Sequence, residues 1–176
     1  MKVINLFAGP GASKSTLASY IFFKLKINGY NSEIVTEYAK DKTWEKDFST
    51  LSDQLYVTAK QNRKLERLRN QLDVVVNDSP LLLGIHYSMP GYLGGNFEPM
   101  IYSLFDTYEN INLFIERKKP YDTRGRTQSE EEAKQIDKKI KSMLINKNYQ
   151  FDTVEGTQQG IDDYFEKLTS MVENIK

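Results

Sequence analysis

The chain has 176 residues, enough for one core and too few for two, and its 39% hydrophobic and 27% charged content is that of a folded globular protein. Lysine plus arginine equals aspartate plus glutamate at 24 each, which disfavours a protein that coats duplex DNA through a basic excess. The absence of cysteine excludes disulfides, thiolate metal sites and cysteine nucleophiles, and a single histidine, His86, excludes paired-histidine catalysis.

Met1 and Lys2 run straight into Val3 to Phe7, a short apolar run bounded by a glycine-rich turn that reads as a buried strand. No cleaved leader is expected, and no apolar run approaches the roughly 18 residues of a membrane helix, so a cytoplasmic location is expected. Ser15 to Ile27 carries Leu17, Tyr20, Ile21 and Leu25 at helical spacing and stops at Asn28-Gly29. Glu33 to Glu37 is a second strand, and Leu51 to about Leu72 a long helix with Leu55, Ala59, Leu65 and Leu68 on its apolar side. Val74-Val75-Val76-Asn77-Asp78 is the clearest strand, broken by Ser79-Pro80. Ser88 to Pro99, rich in glycine and proline, reads as a loop of the length that moves or binds. Ile111 to Ile115 and Phe151 to Val154 are the remaining strands. Thr127–Leu144 and Gln159–Ile175 are the remaining helices, with Ser129-Glu130-Glu131-Glu132 placing acids at a first turn. Alternating apolar strands and helices predict one α/β domain over residues 1–176, its parallel sheet covered on both faces.

Ala8-Gly9-Pro10-Gly11-Ala12-Ser13-Lys14-Ser15-Thr16 lies between the first strand and the first helix. A phosphate-binding loop asks for Gly, four residues, Gly, Lys and then Ser or Thr. Here Ala8 and Ser13 replace the two prescribed glycines, while Lys14 and Ser15 are in place. Gly9 and Gly11 still permit a tight turn whose N–H groups point at an anion, and the following helix adds its positive end. The expected ligand is ATP with Mg²⁺: Gly9, Gly11, Ala12, Ser13, Lys14, Ser15 and Thr16 hold the phosphates, Lys14 reaches the β- and γ-groups, and Ser15 ligates the metal. The plainer alternative is a glycine turn with an exposed lysine, which the order strand, turn, Lys-Ser-Thr, helix speaks against. Asp78, at the carboxyl end of the most apolar strand, opens toward the ligand crevice as a second metal-directed acid, or caps the next helix.

Four stretches together resemble the P-loop kinase group: Phe7-Ala8-Gly9-Pro10-Gly11, Val35 to Asp41, Asn77-Asp78-Ser79-Pro80-Leu81, and Arg124-Gly125-Arg126. The likeness is specifically to small phage-type proteins described as ATPase/kinase or nucleoside monophosphate kinase, and more distantly to the ribosylnicotinamide kinase group. The resemblance covers nearly the whole chain. It implies a three-layer α/β/α fold with a five-stranded parallel sheet in the order 2-3-1-4-5, and a short basic lid at about 117–128. It also implies Glu37 as the acceptor of a proton from an attacking hydroxyl, with a solvated strand-end acid as the bland alternative. Arg117 to Arg126 hold five cations against one acid, and the resemblance makes Arg124 and Arg126 the groups that close over the transferring phosphoryl; a solvated basic loop is the alternative.

Tyr38 and Asp41 follow Glu37, and Gln61 and Arg63 lie on the long helix; these are the expected substrate contacts, though most of that helix should face water. Trp44 and Tyr38 could equally stack on a base or pack in the core. His86 reads as structural or substrate-adjacent. The expected activity is transfer of the γ-phosphoryl group of ATP to a small acceptor, a nucleoside or nucleoside monophosphate. Alternatives are a kinase for a hydroxymethylated base within DNA and a nonenzymatic nucleotide-binding module. A homodimer is left open, and for a phage-encoded chain the host cytoplasm is the expected location.

Overall fold

The computed structural model describes residues 1–121 and 128–173. Five strands, β1 (Lys2–Phe7), β2 (Ser32–Val35), β3 (Val74–Asn77), β4 (Glu109–Glu116) and β5 (Asp152–Glu155), pair in parallel in the order β2-β3-β1-β4-β5. The α/β class is that expected from the alternation of strands and helices, and the strand order is the one the resemblance implies. β1 is hydrogen-bonded on both sides, Ile4 lying opposite Val76 and Ile111. The glycine loop therefore leaves the centre of the sheet.

The period-two alternation of β1 assigns its side chains to two cores. Ile4 and Leu6 pack with Leu17, Ala18, Ile21 and Leu25 of α1 (Lys14–Ile27) and with Ile161 and Leu168 of α8 (Gln158–Glu173). Val3 and Phe7 face the opposite core. There Leu65 of α4 (Gln54–Glu66), Phe97, Ile101 and Phe105 of α6 (Phe97–Phe105), and Ile140 and Leu144 of α7 (Glu130–Asn146) cover the sheet. This is the three-layer arrangement. No helix among the described residues is long and apolar enough to cross a membrane.

Helix ends follow local chemistry. α1 ends at Asn28, after which Gly29 (φ 82°) lets the Gly29 and Tyr30 N–H groups return to the carbonyls of Lys26 and Leu25. α7 starts on a reciprocal Ser129–Glu132 capping box.

Several elements depart from expectation. The long helix over 51–72 is instead α3 (Phe48–Ser52) and α4, divided at Asp53, whose carboxylate accepts from the Tyr56 N–H at 3.0 Å. The segment 88–99 is less of a loop than its glycines suggested. A 3₁₀ turn spans Tyr92–Gly95 and α6 begins at Phe97, with Pro99 in its first turn, where a missing N–H costs nothing. A short helix, α2 (Tyr38–Trp44), also stands where none was expected, and α5 (Leu83–Tyr87) follows Asp78 but has Leu82, not Asp78, at its cap position. β2 stops at Val35, so Glu37 caps α2 rather than ending a strand.

Candidate functional site

The loop from Ala8 to Ser13 carries the chain from β1 into α1. Gly11 sits at φ 77°, and Ser13 at φ 66°, ψ 15°, a left-handed conformation that explains why glycine is the usual occupant of its position. Ala8 needs no such freedom; it is buried in the core with Leu17 and Leu6. The Lys14 Nζ folds back and donates to the carbonyls of Ala8 at 2.8 Å and Gly9 at 3.1 Å.

A cleft of about 550 Å³ opens over this loop. Gly11, Ser13, Lys14, Ser15 and Thr16 form one end of its wall, with Lys40 of α2, whose ammonium donates to the Ser15 hydroxyl at 3.3 Å. The other end is a chamber between α2–α3, α4 and α5, built from Trp44, Phe48, Leu51, Val57 and Leu83 with the polar groups of Gln54, Thr58 and Gln61. Gly84 closes it: a Cβ there would lie 2.7 Å from Thr58 Oγ1.

Glu37 also lines the cleft. Its carboxyl group is held above the ordinary range, first by burial and then by the negative charges of Asp78 and Asp41, against the opposing pull of Lys14 and Lys40. Asp78 follows β3, is 2% exposed, and its N–H donates to the Val35 carbonyl at 3.0 Å, joining the ends of β3 and β2. Its Oδ1 is buried with no hydrogen-bond partner among the described residues. Tyr87, from α5, adds a hydroxyl pushed up to about 12 by burial and by the charges of Glu37 and Asp137.

The root of the expected lid rests on the loop. Arg117, just beyond β4, donates from Nε and Nη2 to Asp137 Oδ2 of α7 at 3.1 and 2.9 Å, and Asp137 Oδ1 accepts from the Gly9 N–H at 2.5 Å. The Tyr121 ring covers Gly11 so closely that a Cβ there would meet it at 2.6 Å. Arg124 and Arg126 lie outside the described residues.

The expected residues divide accordingly. Gly11, Ser13, Lys14, Ser15, Thr16, Glu37 and Gln61 line one cleft, while Gly9 and Ala12 support the loop from behind. Tyr38, Asp41 and Arg63 are not in its wall: Tyr38 packs edge-on against Tyr56, Asp41 lies 3.9 Å from Lys64, and Arg63 is exposed. His86 is also outside it; burial and the charge of Lys139 hold its ring below the usual histidine range. Sequence reasoning missed Lys40, Tyr87 and Asp137, which lie on helices it did not place or far along the chain; only Lys40 had a local signal, its position three residues after Glu37.

Mg²⁺ is held by one or two carboxylates, retained waters and substrate phosphates rather than by an all-protein cage. An orphaned buried carboxylate oxygen on Asp78 and a serine hydroxyl at the start of α1 fit that donor set.

A parallel 2-3-1-4-5 sheet whose central strand feeds a glycine loop, Lys14 and Ser15, with Asp78 at the end of the neighbouring strand, defines a P-loop NTPase. A family model described as an AAA domain matches residues 3–159, and the chain belongs to that family. No curated protein matches the chain. Family membership makes this a nucleotide-binding domain of ATPase or kinase type.

Proposed function

We propose that the protein is an ATP- and Mg²⁺-dependent kinase that phosphorylates a hydroxyl of a small acceptor, a nucleoside ahead of a nucleoside monophosphate. The observation that carries this reading is Glu37, a largely desolvated carboxyl group that lines the same cleft as the phosphate loop and feels the charges of Lys14 and Asp78. A general base works best with a pKa near the operating pH, and burial raises Glu37 in that direction. The chamber favours a flat, uncharged acceptor. Among the described residues the cations of the cleft wall are Lys14 and Lys40, both at the loop end, whereas the chamber carries aromatic, amide and hydroxyl groups.

Bound MgATP supplies the transferable phosphoryl group and a divalent charge that polarises it. Lys14, which donates to the carbonyls of Ala8 and Gly9, would turn to phosphate oxygens, and Asp78 and the Ser15 hydroxyl would hold the metal. Glu37 takes the proton from the acceptor hydroxyl as its oxygen bonds to the γ-phosphorus, and the bond from that phosphorus to the bridging oxygen breaks to leave ADP. Arg124 and Arg126 are proposed to neutralise the transferring group. Tyr38, Asp41 and Arg63, outside the wall, are left with supporting roles.

The test is transfer of label from γ-labelled ATP across nucleosides, nucleoside monophosphates, nicotinamide riboside and DNA oligomers, with Lys14→Ala as the control. A labelled nucleoside monophosphate is expected from the native chain, and none from the variant at unchanged far-UV circular dichroism. The AAA description of the family favours a second reading, hydrolysis with water as the acceptor; inorganic phosphate with no labelled acceptor would establish it and remove the kinase.

A further inference from the structure

Gln61 lines the cleft, yet both ends of its amide are engaged inside the protein. Its Oε1 accepts from the Tyr38 N–H at 2.9 Å, and its Nε2 donates to Asn77 Oδ1 at 3.2 Å. Asn77 Nδ2 donates to Asn5 Oδ1 at 3.0 Å, Asn5 Nδ2 donates to Asn110 Oδ1 at 2.8 Å and to Asn112 Oδ1 at 3.2 Å, and Asn112 Nδ2 donates to the Gln150 carbonyl at 3.0 Å. Asn5 is the register partner of both Asn77 and Asn112, so three asparagines form one row across β3, β1 and β4. All four amide side chains are buried, in the layer that also holds Phe7 and Phe114.

The relay has one polarity. It begins at a backbone donor and ends at a backbone acceptor, and reversing any amide sets like groups against each other at both of its junctions. Four amides in an apolar layer are tolerated only while every member is satisfied. What the row joins is the site. Asn5 lies on the strand that feeds the phosphate loop, Asn77 immediately precedes Asp78, and Tyr38 immediately follows Glu37. Glu37 occupies the cap position of α2 without making a side-chain cap bond. Gln61 satisfies the first N–H of that helix in its place, and the Glu37 carboxylate is left to the cleft.

We infer that Gln61, with the Asn77–Asn5–Asn112 row behind it, is a positioning element that holds Glu37, Asp78 and the root of the phosphate loop in one frame, rather than a reader of the substrate. The inference rests on the kinase reading for Glu37 as base. Charged and titratable groups facing Glu37 are Lys14 from α1, Lys40 and Asp41 from α2, Asp78 after β3 and Tyr87 from α5; Gln61 adds no charge and acts through geometry.

Gln61→Met keeps the length and removes both hydrogen bonds. The expected result is a kcat lower by about 10- to 100-fold with the KM for ATP and for the acceptor nucleoside each within about twofold, since a displaced general base costs rate rather than affinity. Unchanged kcat, or a raised acceptor KM at preserved kcat, would overturn the inference, the latter by making Gln61 a substrate contact. If Gln61→Met fails to fold, Gln61→Glu serves. The new carboxyl accepts from Tyr38 in either state but donates to Asn77 only when protonated, so its kcat relative to the native chain at the same pH should fall as pH rises; a ratio that stays near one throughout overturns the inference. Should the native chain phosphorylate no acceptor, the kinase reading fails by itself. The ¹³C titration of the Glu37 carboxyl then decides the positioning role, a move toward the ordinary carboxyl range in Gln61→Met supporting it and an unmoved titration overturning it.

Discussion

The contact between Asp137, Arg117 and Gly9 is open to a quantitative test. The Arg117 and Asp137 side chains are 10% and 17% exposed, so this is a largely buried ion pair and not a surface one. Asp137→Ala leaves a guanidinium without its counter-charge, with Nη1 already lacking a partner among the described residues, and frees the Gly9 N–H. Removing one member of a buried pair costs about 3–5 kcal/mol, and residual access of water to the pair argues for the lower end, about 3 kcal/mol. For a chain of this length each kcal/mol moves Tm by about 2–4 °C, so a fall of about 6–12 °C is expected in thermal unfolding followed by circular dichroism. Replacing both partners, Arg117→Met with Asp137→Leu, removes the stranded charge and should recover most of the loss, to within about 1–2 kcal/mol of the native chain. A single-variant loss below about 1 kcal/mol, or a double variant as unstable as the sum of its singles, would refute the claim that the pair is buried and coupled.

Two further outcomes follow from the site. Ionising Glu37 costs folding energy because its carboxyl is raised in the folded protein: the penalty is absent below the ordinary carboxyl value, grows as pH rises toward the folded value, and is complete above it. Glu37→Gln should therefore be more heat-stable than the native chain on the alkaline side of that window, with the advantage vanishing on the acid side, and it should lose phosphoryl transfer; equal Tm values at every pH would show that the carboxyl is solvated. Ser13 holds a left-handed backbone at φ 66° and makes no side-chain cap bond, so Ser13→Gly should stabilise by about 0.5–1 kcal/mol, the strain of about 1–2 kcal/mol less the entropy of glycine. A destabilised Ser13→Gly in urea unfolding would mean that the hydroxyl makes a contact the loop depends on.

Much of the frame was legible because it is carried by local patterns. Val74 to Val76 and Val3 to Phe7 carry apolar residues on both faces, as strands buried between two helical layers do, and Asn28-Gly29 marks a true helix stop. What was not legible depended on tertiary context. α2 and α5 are too short to show a helical period, and the first N–H of α2 is satisfied by Gln61, 23 residues away from Tyr38. Pro99 and its neighbouring glycines looked like a loop because proline in a first turn and proline in a loop are the same letter. The catalytic side is similar. The glycine loop and Asp78 follow strands as expected, and Glu37 is legible as an acid although it caps α2 rather than ending β2; the cleft wall also holds Lys40 and Tyr87, and the loop is braced by Asp137, 128 residues from Gly9. Gln61 was noticed for its chemistry; only the register of Asn5 with Asn77 and Asn112 reveals the direction in which that chemistry is spent.

Trp44 is the sole tryptophan of the chain, is 68% exposed, and lines the same cleft as the phosphate loop. The protein thus carries a built-in optical probe at the mouth of its own cleft, with no second indole elsewhere to dilute the signal. If the proposed kinase reading holds, a stopped-flow fluorimeter should time the arrival of an acceptor separately from that of a nucleotide placed beside Lys14, and so order the two binding steps without attaching a dye.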